Sequence, residues 1–184
     1  ATAGLTNPAP YLTIDIGGGS TEFVFGNTEP ESLCSLNIGC VRITERWLSS
    51  DPCAPEELAN AVSDVRDELS QVAAAIPQLS EARTVLGLAG TLSTVAAVDQ
   101  GLAEYDRDRI HHFCVTRAIA EDVFRTLALE SVAERKTNPG LEPERAEVIV
   151  GGLIVLVATI RAFGIEEILV SEADILDGLA SSIA

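Results

Sequence analysis

The chain has 184 residues, of which 47% are hydrophobic and 22% are charged, and these proportions exclude a disordered chain and a collagen-like repeat. Its 28 acidic residues outnumber the 12 basic ones and give a formal net charge of −16 at pH 7. Because a surface this negative repels polyanions, neither nucleic acid nor an anionic membrane is expected as a partner.

The first predicted elements are strands. Residues 1–10 are small and polar and contain two prolines, so we interpret them as a linker or a trimmed end. Segments 11–16 and 21–26 alternate apolar and polar residues, as half-buried strands do, and a glycine-rich turn separates them. They predict a β-hairpin, which a third strand over 32–38 would extend into an antiparallel meander.

The pattern then becomes helical. Apolar residues at spacings of three and four predict a short helix over 41–48 and a longer one from Pro55 to Ile76. Proline in the first turn, followed by two glutamates near the positive end of the helix dipole, supports the start of the second helix. Further strands are predicted over 84–88, 113–115 and 167–170, and further helices over 90–98, 116–129, 146–163 and 173–183.

This order of elements predicts one α/β domain, in which helices flank a mixed sheet. The longest apolar run, 148–160, is too short for a membrane span, so a buried helix is expected. The four cysteines lie far apart with no Cys-x-x-Cys pair, which favours reduced core cysteines in a cytoplasmic protein. The adjacent His111 and His112 are expected to point apart and therefore to form a poor metal pair.

The strongest motif is the turn between the first two strands. An anion site in so acidic a chain has to be local, and three consecutive glycines let backbone N–H groups approach a ligand closely. Phosphate is the usual occupant of such a turn, and the two hydroxyl residues that follow can add donors. A plain glycine-rich hairpin is the structural alternative. The predicted phosphate-binding residues are Gly17, Gly18, Gly19, Ser20 and Thr21.

Two carboxylates flank this turn. Asp15 is the last polar residue before it, and Glu22 begins the returning strand. Because a hairpin folds back on itself, the two side chains can meet. Together they could bind a divalent cation such as Mg²⁺ or orient a nucleophilic water.

A second candidate anion or nucleotide site follows the buried strand over 84–88. Gly90 and Thr91 open the next helix there, with Thr91 as the expected cap of its free N–H groups. The pattern alone is equally consistent with an ordinary strand–loop–helix connection.

Five segments in chain order between Tyr11 and Leu179 resemble the second domain of the exopolyphosphatase/guanosine pentaphosphate phosphohydrolase (Ppx/GppA) family. The resemblance implies a ribonuclease-H-like domain of the actin/sugar-kinase/Hsp70 superfamily. It also implies an enzyme that removes terminal phosphoryl groups from inorganic polyphosphate or from guanosine pentaphosphate, in the stringent response, with Mg²⁺ and an activated water. The segments are YLTIDIGGGSTEFVFG, SLNIGCVRITERWL, GLAGTLSTVAA, GLEPERAEVIVGG and VSEADILDGL.

The resemblance assigns roles residue by residue. Asp15 and Glu22 match acidic residues of the active centre, which implies catalytic and Mg²⁺-binding roles. The turn at 17–21 matches the family's phosphate-cradling loop. Two further pairs match recurring motifs and are expected to contact nucleotide or phosphate: Gly90 with Thr91, and Arg42 with Arg145.

In this family the first domain supplies another phosphate loop and the glutamate that acts as general base, and neither pattern precedes Tyr11. Residues 11–184 are therefore expected to be the second domain of a short-form member. This domain would be inactive alone and would need the missing N-terminal domain as its partner, and homodimerisation is plausible.

Three alternatives remain open at this point. The substrate could be polyphosphate or guanosine penta- or tetraphosphate, and a net charge of −16 suits a long polyphosphate only if the other domain is basic. The chain could instead be a non-catalytic sensor of phosphate or guanosine nucleotides. It could also be half of a sugar kinase or Hsp70-like ATPase.

Overall fold

A computed structural model describes residues 6–172, and the helix predicted over 173–183 lies outside them. Six strands form one mixed sheet in the order β3-β2-β1-β4-β6-β5. The antiparallel meander predicted from the alternating pattern is confirmed, although its third strand begins and ends two residues earlier than expected. The strands are β1 Tyr11–Ile16, β2 Thr21–Gly26, β3 Pro30–Leu36, β4 Thr84–Leu88, β5 Cys114–Thr116 and β6 Glu167–Val170.

The direction of the strands gives the sheet a functional edge. Strand β1 pairs antiparallel with β2 and parallel with β4, and β4 pairs parallel with β6. The carboxyl ends of β1, β4 and β6 therefore lie at the same edge. In open α/β sheets this is the edge where ligands bind.

The helices predicted within residues 6–172 are present with shifted ends. Two one-turn helices accompany them that are too short to show a periodic pattern. The helix predicted from Ala146 begins later, because Ala146 instead ends a 3₁₀ turn over Pro143–Arg145. The helices are α1 Cys40–Trp47, α2 Pro55–Ala75, α3 Ala89–Asp99, α4 Arg107–Ile110, α5 Arg117–Leu129, α6 Val132–Arg135 and α7 Ile149–Phe163.

The core is organised around α7, which is buried on every side from Ile149 to Ile160, as expected for the longest apolar run. It packs against α1, α2 and α5. Two glycines near its start allow close crossings: Gly151 faces the Cys40 carbonyl at the start of α1, and Gly152 faces the Thr91 side chain of α3. In the part of the chain that the structure describes, no helix is long and apolar enough to cross a membrane.

This crossing yields a stability prediction. A Cβ at Gly151 would overlap the Cys40 carbonyl and the Thr44 hydroxyl, so Gly151→Ala should lower the free energy of unfolding by about 1–3 kcal/mol, measured by urea denaturation. The control is Ala59→Gly on an exposed position of α2, which isolates helix propensity and should cost about 0.5–1 kcal/mol. A higher free energy of unfolding in Gly151→Ala would contradict the close contact between α7 and α1.

Candidate functional site

The turn between β1 and β2 is anchored through its carbonyl groups. The Gly17 carbonyl accepts from the Cys40 amide at 2.9 Å, and the Gly18 carbonyl accepts from the Val41 amide at 3.0 Å. These amides belong to the first turn of α1 and have no acceptor within their own helix. The turn therefore caps α1, and its carbonyl oxygens face the protein.

Because the carbonyls are engaged, the turn's amides are free to face solvent. Among residues 6–172, only the Gly17 amide of the turn finds a protein acceptor, the Ser20 carbonyl at 3.0 Å, whereas the amides of Gly18, Gly19 and Ser20 find none. Gly18 and Gly19 are exposed. The backbone thus presents three consecutive N–H donors, an arrangement that binds anions.

Two residues at the start of α1, its N-cap Gly39 and Arg42 in its first turn, hold the glycine turn in place. A Cβ at Gly39 would overlap the backbone at Gly18, so only glycine permits the turn to approach α1 this closely. The Arg42 Nε donates to the Gly19 carbonyl at 3.0 Å, which places an exposed guanidinium beside the free amides. Arg42 therefore lies at the turn, while its expected contact with phosphate stays a prediction.

The two flanking acidic residues face each other across the hairpin, as its geometry predicts. Asp15 and Glu22 are direct partners in the register of β1 and β2 and therefore lie on the same face of the sheet. Partial burial raises the pKa of Asp15, and the nearby negative charge of Glu22 raises it further. Ser35 on β3 donates its hydroxyl to Glu22 Oε1 at 2.8 Å and orients that carboxylate.

This donor set suits a cation shared with a ligand. Within the described residues, no group of three or more His, Cys, Asp or Glu side chains could hold a metal by itself. Mg²⁺ usually binds one or two carboxylates and takes its remaining ligands from water and substrate phosphates. Asp15 and Glu22 fit that pattern and do not fit an all-protein metal centre.

A cavity of about 730 Å³, which Asp15 lines and Glu22 does not, opens at the carboxyl ends of β1, β4 and β6. Arg145 and Gly90 both line it, and the guanidinium lies so close to Gly90 that a Cβ there would overlap it. The Arg145 Nε also donates to Glu142 Oε2 at 2.6 Å. The structure thus brings Gly90 and Arg145 together with Asp15, although they are far apart in the sequence.

The two threonines lie differently from the prediction. Thr21 is fully buried, and its hydroxyl donates to the Ile38 carbonyl, so it cannot also donate to a phosphate. Thr91 does not cap α3, because the helix begins at Ala89 with Leu88 as its cap. Its side chain is buried against Gly152.

The histidine prediction is wrong in its geometry. The rings of His111 and His112 stack with centroids 3.8 Å apart, because His112 adopts a positive φ of 64° and belongs to neither a helix nor a strand. His111 is engaged elsewhere: its Nδ1 accepts from the Glu172 amide at 3.2 Å.

Sequence reasoning missed several polar residues of the cavity, among them a hydrogen-bonded group formed by Glu172, Ser93 and Tyr105. The carboxylate of Glu172 accepts hydrogen bonds from the hydroxyls of Ser93 and Tyr105. A signal for Glu172 was present, since it follows β6 at the same sheet edge as Asp15. Tyr105 lies in an irregular segment between α3 and α4, where no periodic pattern marks it.

Relatives with known names match along the chain. The model of the Ppx/GppA phosphatase family matches residues 1–184. Exopolyphosphatase 2 of Mycobacterium tuberculosis is 42% identical over 180 residues, which cover 96% of this chain and 56% of that protein. The guanosine-5'-triphosphate,3'-diphosphate pyrophosphatase of Pseudoalteromonas atlantica is 29% identical over 176 residues, which cover 94% of this chain and 33% of that protein.

A solved structure supports the same relationship. The Aquifex aeolicus PPX-GPPA enzyme matches with a TM-score of 0.87 and 30% identity, and the match covers 97% of this chain and 58% of that one. The ribonuclease-H-like fold expected from the sequence is therefore confirmed. The chain spans 56% or less of the length of the two curated relatives.

The raised pKa of Asp15 generates a pH-dependent prediction. Between the ordinary aspartate pKa and the raised one, the folded state binds more protons than the unfolded state, so stability falls as pH rises through that window. Ionised Asp15 therefore costs stability at pH 7. Asp15→Asn should raise the free energy of unfolding at pH 7 by about 1 kcal/mol or less, and the gain should vanish below about pH 3.9.

Urea unfolding measured across this pH range checks the expectation. Asp67→Asn, on an exposed part of α2, is the control and should change the unfolding free energy by less than about 0.5 kcal/mol at pH 7. A loss of stability in Asp15→Asn at pH 7 would show that the carboxylate is favourably paired in the folded chain.

Proposed function

Because the chain belongs to the Ppx/GppA phosphatase family, we propose that it forms the second, phosphate-binding domain of an enzyme that hydrolyses terminal phosphoanhydride bonds. The observation that carries this proposal is the orientation of the turn at 17–20, whose carbonyls bind α1 while three amides remain without a protein acceptor in the described chain. Donors fixed in this way stabilise phosphoryl oxygens without having to reorganise during the reaction.

Two arginines supply positive charge where the phosphoryl group would bind. Arg42 lies beside the turn through its bond to the Gly19 carbonyl, and Arg145 lines the same cavity as Asp15. Guanidinium groups match phosphate oxygens through paired N–H donors. One terminal phosphoryl group therefore finds local cations and amides in spite of the net charge of −16.

Asp15 and Glu22 would hold Mg²⁺, which when bound neutralises charge on the phosphoryl oxygens. The chain's own residues prepare that site: the Ser35 hydroxyl fixes the direction of Glu22, and the register of β1 and β2 sets Asp15 opposite it. The same carboxylates can orient the attacking water. The base that takes its proton is proposed to lie in the additional length of the relatives.

The substrate class follows from the chemistry and from the relatives' names. The named relatives are an exopolyphosphatase and a guanosine pentaphosphate pyrophosphatase. Inorganic polyphosphate and guanosine pentaphosphate both end in a phosphoanhydride. Either fits a site that binds one terminal phosphoryl group and a divalent cation.

Binding of tripolyphosphate to the 184-residue chain tests the proposal directly. Isothermal titration calorimetry should show tighter binding with MgCl₂ than with EDTA. In MgCl₂, Glu22→Gln should weaken binding about tenfold or more, because one of two cation ligands is lost. In EDTA, Glu22→Gln should not bind more weakly than the wild type.

The matched control is Glu29→Gln, an exposed acid at the opposite end of the hairpin, which should bind like the wild type. Equal weakening in both variants would mean that general charge, and not the Asp15–Glu22 pair, controls binding. Absence of any tripolyphosphate binding by the folded chain would reject the proposed function.

A second test concerns turnover. We expect the 184-residue chain to release phosphate from polyphosphate at least about 100-fold more slowly than Exopolyphosphatase 2 in the same assay, since the general base is proposed to lie outside it. Equal rates would show that this chain carries the whole catalytic centre. If the full-length protein binds tripolyphosphate tightly but hydrolyses no polyphosphate, the alternative of a non-catalytic phosphate sensor is favoured instead.

A further inference from the structure

Arg145 supplies the positive side-chain charge of the cavity at the carboxyl ends of β1, β4 and β6. Among the described residues that line the cavity, Arg145 alone carries a cationic side chain, whereas four carboxylates line it, from Asp15, Glu104, Glu142 and Glu172. An anion that enters the cavity therefore depends on the Arg145 guanidinium for side-chain charge. Whatever pairs with this guanidinium before a ligand binds controls how strongly the cavity holds an anion.

Glu142 is the residue that pairs with it. The Arg145 Nε donates to Glu142 Oε2 at 2.6 Å, which is shorter than the ~2.7–2.9 Å of most charge-assisted N–H···O bonds. The Arg145 side chain is 41% exposed and the Glu142 side chain is 52% exposed, so water screens the pair and a ligand in the cavity can reach it. The pair is close enough to neutralise Arg145 and accessible enough to be exchanged.

The local backbone builds this pair. Residues Pro143–Arg145 form a 3₁₀ turn with Glu142 as its N-cap, and the Arg145 amide donates to the Glu142 carbonyl at 2.9 Å. Because residues three apart eclipse each other in a 3₁₀ turn, the Glu142 and Arg145 side chains lie on the same side of it. Pro143 at the first position fixes its own φ and favours this conformation. The pairing is therefore a consequence of the turn, and not a chance meeting of two surface side chains.

Gly90 confines the guanidinium on another side. A Cβ at Gly90 would overlap the Nη1 and Nη2 atoms of Arg145, so the guanidinium packs on the Gly90 backbone. A guanidinium presents two forks of paired donors, one that contains Nε and one formed by the two Nη groups. Gly90 obstructs the second fork, whereas Glu142 accepts from the first. A phosphoryl group that uses the first fork has to replace the Glu142 carboxylate.

These contacts lead to one inference, which rests on the proposed function and concerns the regulation of affinity at the same site. We propose that Glu142 competes with the phosphoryl ligand for Arg145, by holding the guanidinium until phosphoryl oxygens displace it. Binding then exchanges one anion for another at Arg145, so the affinity is lower than a free guanidinium would give. The orthophosphate that hydrolysis releases meets the same competition. Glu142 is therefore a residue that limits affinity and favours product release, and it is not a catalytic residue.

Binding of tripolyphosphate to the 184-residue chain in MgCl₂, measured by isothermal titration calorimetry, tests this inference. Glu142→Gln should bind tripolyphosphate about fivefold more tightly than the wild type, since an exposed ion pair no longer has to be broken. Orthophosphate, as a second probe, should also bind more tightly to Glu142→Gln. The matched control is Glu104→Gln, which removes the same charge from the same cavity on a different segment and should change either affinity by less than about twofold.

Arginine Nε–H signals in ¹H–¹⁵N spectra report the exchange itself. The Arg145 signal is assigned by its loss in Arg145→Gln. Saturating tripolyphosphate should shift this signal in the wild type, because the acceptor of Nε changes from Glu142 to a phosphoryl oxygen. An Arg145 signal that stays unchanged while tripolyphosphate binds would overturn the inference, and so would equal tightening in Glu142→Gln and Glu104→Gln.

The remaining outcomes separate this inference from the proposed function, once thermal unfolding by circular dichroism confirms that each variant is folded. If the wild type binds tripolyphosphate and Glu142→Gln binds it no more tightly, competition by Glu142 is rejected and the proposed function stands. Weaker binding by Glu142→Gln would show that Glu142 holds Arg145 in position for the ligand, which also overturns the inference. Absence of tripolyphosphate binding by both chains would reject the proposed function and the competition together.

Discussion

The site depends on the hydrogen bonds that the glycine turn makes to the start of α1. A helix begins with amides that lack acceptors, and here the carbonyls of Gly17 and Gly18 satisfy them. Since each peptide unit points its N–H and C=O in opposite directions, binding the carbonyls inward leaves the next amides pointing outward. The same contacts therefore cap a helix and leave three amides available to an anion, whereas a turn anchored through its amides would have no such donors to offer.

Those hydrogen bonds require α1 to lie in the correct position, and packing against α7 fixes that position. Gly151 lets the Cys40 carbonyl come against α7, and Gly39 lets the turn come against α1. Through these two glycines, the buried helix α7 packs closely on α1, and α1 packs closely on the exposed turn. The apolar core is thereby connected to the polar site by close backbone contacts, which are less variable in position than contacts between flexible side chains.

The sequence predicts the parts of the site that follow from strand geometry. Alternation over β1 and β2 sets their register, and the register places Asp15 opposite Glu22. The direction of the Thr21 hydroxyl could not be predicted in the same way, because it depends on the Ile38 carbonyl, which a separate segment positions. Tyr105 escapes prediction for a related reason, since it lies in an irregular loop and its partner Glu172 is distant in the chain.

The acidic composition and an anion-binding role are compatible once the two regions of the site are separated. The turn needs no side-chain charge of its own, because backbone dipoles supply the donors, and Arg42 adds charge only beside them. The cavity adjoining it keeps its carboxylates, and Ala89 at its edge adopts a left-handed φ of 64°, which costs an alanine about 1–2 kcal/mol. This strained backbone at the start of α3 adjoins a close contact, since Gly90 packs directly against the Arg145 guanidinium. The start of α3 thus brings backbone strain and the Arg145 guanidinium to the same edge of the sheet as the Asp15 carboxylate.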